Sequence, residues 1–445
     1  MTLLIGNAQG FWGDRPDAAF QLAKQMPEID YITLDYLAEV SMSILAGQRK
    51  KNPLGGFARD FVDVVRQLVP LWEKGADFKV ISNAGGLDPL ACGRACREAL
   101  GDLPLKIAVV LGDDVIQKLI ENSDRQDFSH LENRESLTNI VSSLATANVY
   151  LGAEGICKAL AGGANIVITG RVADPSMTVA AAMFHYQWPQ NAWDKIAGAT
   201  VAGHLIECGT QVTGGISTDW LNIDDIIEIG FPIVDIAEDG SFIITKAPWT
   251  GGAVTLRTVK EQILYELGDP ENYLSPDATV SFTHLQLSEQ KKDHIHVSGA
   301  IGRPPPKKFK VSATYEAGWK AEAMLAIFGR NLRRKSFLCG QVVKERLKNL
   351  GFDPEEFLCE LLGGGDLVPG VYHPENPLEG VMRFAIKDRR REAVEKFIKE
   401  IAPLVTSGPQ GITGYMSGRP KVRQAYGFWP CLIPREEVPL EVIYV

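Results

Sequence analysis

The sequence predicts an α/β fold: a Rossmann-like parallel-sheet domain over residues 1–220, then an α+β domain over residues 221–445. Three observations predict it. Short β-branched runs alternate with stretches of helical periodicity through the first half. Each such run is nearly continuously apolar, as a strand covered by helices on both faces must be. Past about residue 220 the alternation stops and hairpin signals begin.

In order, residues 3–6 form a first strand and residues 16–26 a helix. A strand over 30–37 precedes a helix over 57–74, whose Phe61, Val64, Val65, Leu68 and Leu71 recur at helical spacing. Strand 78–82 leads to helix 89–100, and strand 106–111 to helix 115–122. A strand at 148–151, a helix at 154–161, a strand at 165–169 and a helix at 175–186 complete the alternation. Right-handed crossovers allow an open sheet or a closed barrel; the uneven spacings and the long crossover 38–77 favour the open sheet. Further on, 233–236 and 242–245 flank Glu238-Asp239-Gly240, a hairpin with an Asp-Gly turn. Residues 280–287 and 294–298 read as a second antiparallel pair.

A chain of 445 residues with 45% apolar and 23% charged residues needs no staples to bury a core. A net charge of −9 with only short basic runs gives no basis for binding nucleic acid. Those runs (Lys307, Lys308 and Lys310; Arg333–Lys335; Arg389–Arg391) read as solvated faces, with contact to an anion or a CoA phosphate as the alternative. No apolar stretch spans a membrane, and the N-terminus reads as a strand, not a signal peptide. Seven scattered cysteines fit a reducing, cytoplasmic compartment.

Ligands of parallel sheets gather at the carboxyl ends of the strands. The residues that follow the strands are accordingly the candidates: Gly6 to Asp14, Asp35 with Tyr36 and Glu39, Asn83 to Pro89, Gly112 with Asp113 and Asp114, and Thr169 to Pro175. Asp88 and Asp174, each before a proline, also read as helix caps. Asn83 and Arg171 have no capping duty, and Arg171 beside a helix start suits a carboxylate or phosphate. Gly85 and Gly86 provide a turn whose amides would complete the clamp. Neither the dinucleotide fingerprint nor the Walker A spacing is present.

His204, Glu207 and Cys208 fall on one helix face, as a satisfied buried histidine, an acid/base pair or a partial metal site that lacks the ligand count of a zinc centre. Lys246, Thr250, Gly251 and Gly252 form an anion nest with its counter-charge, or a tight turn. Cys92 and Cys96 read as core, and His294 with His296 as surface. There is no nucleophile elbow.

Six ordered segments together resemble the acyclic terpene utilisation (AtuA) family: Gly10-Phe11-Trp12-Gly13-Asp14, Leu34-Asp35-Tyr36-Leu37-Ala38-Glu39, Ser82-Asn83-Ala84-Gly85-Gly86-Leu87, Ile168-Thr169-Gly170-Arg171, Ala202 to Gly209, and Thr250-Gly251-Gly252. The resemblance implies catabolism of branched acyclic terpenoids and related acids, often as CoA thioesters. It carries no settled mechanism. Longer relatives add a ferredoxin-like C-terminal extension, and the chain is expected to match the family core without it.

The function expected is breakdown of a carboxylic acid or acyl-CoA by a cofactor-independent hydratase/dehydratase, a lyase. His204, Glu207 and Asp35 would be catalytic. Asn83, Gly85, Gly86, Arg171, Lys246, Thr250, Gly251 and Gly252 would bind the substrate. In one variant Asp35, Glu39, Asp113 and Asp114 hold Mg²⁺. The other class of reading is a non-catalytic scaffolding subunit of a catabolic complex. The expected partners are the small acid or thioester, and either further copies of the chain or a separately encoded small subunit. The run Tyr426 to Pro434 is either a last core strand or a docking patch.

Overall fold

The computed structural model describes residues 2–52 and 55–445. The chain makes two compact units: the first runs to Thr314 and resumes over Phe428–Val445, and the second is Tyr315–Gly427.

The first unit opens with β1 (Leu3–Asn7), α1 (Ala18–Gln25), β2 (Tyr31–Leu34), α2 (Glu39–Lys51) and α3 (Asp60–Trp72). Next come β3 (Lys79–Ser82), α4 (Pro89–Leu100), β4 (Ile107–Leu111), α5 (Ile116–Glu121) and β5 (Leu144–Val149). They are followed by α6 (Glu154–Ala161), β6 (Ile166–Thr169), α7 (Ser176–Tyr186) and α8 (Trp193–Ile206). Strands then dominate: β7 (Pro232–Ile236), β8 (Phe242–Lys246), β9 (Tyr273–Leu274), β10 (Thr279–Ser281), β11 (Gln286–Lys291), β12 (His294–Ser298) and β13 (Ile301–Arg303), with α9 (Leu256–Leu264) after β8. The long β14 (Lys308–Phe328) runs on into the second unit.

Ten strands make one open mixed sheet in the order β11-β12-β8-β7-β1-β2-β3-β6-β4, closed on its far edge by β19 (Glu441–Tyr444). From β1 to β4 the strands are parallel. Beyond them every pairing in the sheet is antiparallel. The hairpin at Asp239-Gly240 thus extends the same sheet as β1, instead of starting a separate one. Strands β2 and β6 are buried at every residue, which is why their sequences lack alternation. Helix α3 turns Phe61, Val64, Val65, Leu68 and Trp72 to this core. Helix α8 is buried from Ile196 to Ile206, and Gly203 packs where a Cβ would lie 2.8 Å from the Pro175 Cα.

Three expectations need correction. The long crossover contains α2, whose polar composition masked it. The strand near residue 148 is β5, which pairs with β14 and not with the main sheet. Residues 280–287 split between β10, which pairs with β9 and β13, and β11, which pairs with β12.

The second unit follows β14 with α10 (Leu332–Asn349), β15 (Glu356–Leu362), β16 (Glu379–Asp388), α11 (Arg391–Ile401), α12 (Leu404–Ser407) and β17 (Ile412–Tyr415). Its antiparallel sheet has the order β15-β16-β14-β17. That is the split βαββαβ arrangement of ferredoxin-like folds, here in the interior of the chain. Its own core joins Leu325, Ile327, Val343, Phe384 and Phe397. The chain returns through β18 (Arg423–Pro434), which pairs with β14. Within the run Tyr426 to Pro434, Trp429, Cys431 and Ile433 are buried, and Phe428 is 39% exposed. Pro430 is buried as well, so the centre of the run is a buried strand. No helix among the described residues is long and apolar enough to cross a membrane.

Candidate active site

The carboxyl ends of the parallel strands bring the polar turns together. After β3, the Asn83 side chain donates to Asp35 Oδ1 over 2.7 Å and accepts from the Tyr36 amide over 2.7 Å, tying the end of β2 to that of β3. After β6, the Arg171 amide donates to Asp113 Oδ2 at 2.8 Å, tying the end of β6 to that of β4. After β1, Asn7 Nδ2 donates to the carbonyls of Ile206 and Glu207 at 2.6 and 2.9 Å, fixing the C-terminal end of α8 against the rim. All these side chains are buried.

Arg171, 2% exposed, is the centre of charge. Its Nη1 donates to the Leu37 carbonyl and lies 3.1 Å from Asp174 Oδ1, while its guanidinium stacks 4.4 Å over the Tyr150 ring. Its Nε has no hydrogen-bond partner among the described residues. Burial works against the Arg171 charge, but Asp174, Tyr150, Asp35 and Glu39 outweigh it and hold the group protonated. Asp174 therefore does not repeat the capping role of Asp88, whose Oδ1 accepts from the Ala91 amide at 3.0 Å. The two Asp-Pro pairs look alike in sequence; the arginine three residues before Asp174 separates them.

Several carboxyl groups face that single guanidinium. Burial pushes Asp35 well above the usual carboxylate range; Asp174 adds to the shift and Arg171 opposes it. Burial likewise raises Asp174, and raises Glu207 well above its ordinary value, helped by the charges of Asp174 and Glu266. Asp113 is pushed up to about 6 by burial against its hydrogen bonds from Arg171 and Asn148. One buried cation cannot balance all these charges, so the carboxyl groups are held toward their protonated forms.

His204 is the last link. Its Nε2 lies 3.1 Å from the Gln262 carbonyl, which can only accept, so Nε2 carries a hydrogen. Its Nδ1 lies 3.2 Å from Glu207 Oε1. Burial lowers His204 below the ordinary histidine range. With the imidazole neutral and Glu207 protonated, the carboxyl donates to Nδ1; burial is the first cause of both shifts. Glu207 Oε2 has no hydrogen-bond partner among the described residues. The His204 ring is 5.8 Å from that of Tyr273 and 5.7 Å from that of Phe282.

A cavity of about 320 Å³ adjoins this cluster. Its walls are largely apolar, among them Leu131, Pro175, Leu274, Phe309 and Leu432, with Tyr150, Asp174, Tyr273, Lys308 and Lys310 as polar points. A larger groove of about 950 Å³ is built wholly from residues of the second unit and contains none of the rim residues. We place the site by its chemistry and not by cavity size.

The remaining candidates are otherwise engaged. The Gly85 amide donates to the Thr169 carbonyl at 3.1 Å and the Gly86 amide to the Asn83 carbonyl at 3.3 Å. Lys246 Nζ donates to the Thr250 carbonyl at 2.7 Å and lies 3.6 Å from Asp293. The amides of Gly251 and Gly252 donate to the carbonyls of Glu228 and Asp224, each at 2.8 Å. The loop after β8 is thus tied to the segment that precedes β7. Among the described residues no group of three or more His, Cys, Asp or Glu is placed to hold a metal, so Asp35, Glu39, Asp113 and Asp114 do not assemble as a Mg²⁺ cage.

Sequence reasoning missed Tyr150 and Tyr273. Tyr150 has a faint signal, following Thr146 and Asn148 at strand spacing. Tyr273 lies in a two-residue strand with no pattern to mark it.

A family model described as acyclic terpene utilisation family protein AtuA matches residues 3–444. No curated protein and no solved structure matches the chain.

Proposed function

The chain belongs to the acyclic terpene utilisation family AtuA, and from that premise we propose that it is a catabolic enzyme acting on a carboxylic acid or its CoA thioester, a lyase of the hydratase/dehydratase kind. The observation that carries this reading is the set of carboxyl groups gathered around one buried arginine beside an apolar cavity, with burial holding them toward their protonated forms.

Reversible addition of water to a carbon–carbon double bond needs two proton-transfer groups and a fixed positive charge near the acyl oxygen. Arg171 supplies the charge. The Glu207–His204 pair exchanges the proton on the carbon next to the acyl group, because a carboxyl held near its protonated form both gives and takes a proton at neutral pH. Asp35, bonded to Asn83, is a further carboxyl held toward its protonated form beside Arg171. The apolar walls suit a hydrocarbon chain.

The test is turnover of 2- and 3-hydroxy acids and their CoA thioesters by the purified chain, followed by enoyl absorbance. His204→Ala is expected to lower kcat by about a hundredfold or more while the protein stays folded. Full turnover in that folded variant would remove His204 from the mechanism. Ligand-induced thermal shifts without turnover would favour a non-catalytic binding subunit.

A further inference from the structure

We propose that Tyr150 is the catalytic group that passes a proton to and from the substrate hydroxyl, with Glu39 and Lys310 linking it to solvent. The proposal rests on the lyase reading and deepens it, since that reading leaves the second proton unassigned.

Tyr150 lines the apolar cavity beside Asp174 and Tyr273. Its hydroxyl donates to Glu39 Oε1. Lys310 Nζ lies 3.6 Å from the same oxygen, and the side chains of Lys310 and Glu39 are each 44% exposed. A hydrogen-bonded path therefore runs from the cavity wall to water. Two cations also lie over the phenol: the Arg171 guanidinium at 4.4 Å and the Lys310 ammonium at 4.8 Å from the ring centroid. Satisfying a buried hydroxyl requires one partner only. Cations over the ring do something more, because they stabilise negative charge that builds on the phenol as its proton leaves.

In the dehydrating direction, Glu207 with His204 takes the proton from the carbon next to the acyl group. The electron pair left behind forms the double bond, and the C–O bond to the hydroxyl breaks with its pair on oxygen. That oxygen takes the Tyr150 proton and leaves as water. The Tyr150 phenolate regains a proton from solvent by way of the exposed Glu39–Lys310 pair. Hydration runs the same steps in reverse, and no oxidant, reductant or co-reactant other than water is consumed.

The experiment uses the full chain and the hydroxy-acid and thioester panel. Tyr150→Phe keeps the ring under both cations and removes only the hydroxyl. It is expected to lower kcat by about a hundredfold or more with KM nearly unchanged, a split that a packing role would not produce. Glu39→Gln keeps the shape of the relay without its proton exchange, and is expected to lower kcat about tenfold at unchanged KM. If wild type turns over and folded Tyr150→Phe matches it, or loses only KM, the inference fails while the lyase reading stands. If Tyr150→Phe does not fold, Glu39→Gln decides, and an unchanged kcat there overturns the inference. A wild type that turns over nothing on the panel overturns both.

Discussion

Glu207 and His204 touch at 3.2 Å, and burial shifts them in opposite directions. Glu207 is raised above its unfolded value, so its contribution to stability is full at low pH and fades as pH rises from the ordinary glutamate range through the raised folded value. His204 is lowered, so its contribution is full above the ordinary histidine range and is lost as pH falls below it. Glu207→Gln removes the alkaline penalty and still donates to Nδ1 through its amide. The variant should melt above wild type at about pH 9 and with it at about pH 5, each kcal/mol relieved being worth roughly 2–4 °C. A parallel fall of both melting curves at high pH would refute this. At this scale the sequence exposed Asn83, Arg171, His204 and Glu207, because each is a polar residue with no local duty after a strand or on a helix face. It hid Asp174 behind a capping pattern, and it made Gly251 and Gly252 look like an anion nest when the amides were needed for carbonyls of the segment before β7.

Helix α8 carries His204 near its C-terminal end, and its closeness to α7 depends on Gly203. A Cβ there would lie 2.8 Å from both the Cα and the carbonyl oxygen of Pro175, backbone atoms that cannot swing aside. Gly203→Ala is therefore expected to cost about 1–3 kcal/mol in chemical denaturation. Gly268→Ala, where a Cβ meets nothing within 4 Å, should change stability little and serves as the control. Equal stability for the two would show that α7 and α8 can separate freely. Elements of strong period or uniform burial, such as α3 and β6, were legible because burial alone dictates their composition. Helix α2 was not, since it packs few apolar side chains, and β5 was misplaced because strand character says nothing about which partner a strand finds.

At the scale of the molecule, the second unit is a complete βαββαβ motif with its own core, inserted between two strands of the first. Its ends lie side by side: the position of a Gly427 Cβ would overlap the Tyr315 ring. A fragment of residues 315–427 should therefore fold alone, giving one cooperative denaturant transition and slowly exchanging amides in β14 and β16. Exchange at unprotected rates throughout would refute it. Neither the insertion nor its limits were legible, because a continuous strand pattern runs through both crossings in β14 and β18. The same topology sets an order of events during synthesis. The ribosome delivers the whole inserted motif by Gly427, whereas the main sheet waits for its last edge strand, β19, which pairs with β4 more than 300 residues upstream. The later-encoded module can be finished first, and the older half of the nascent chain must hold its uncovered β4 edge until β19 emerges.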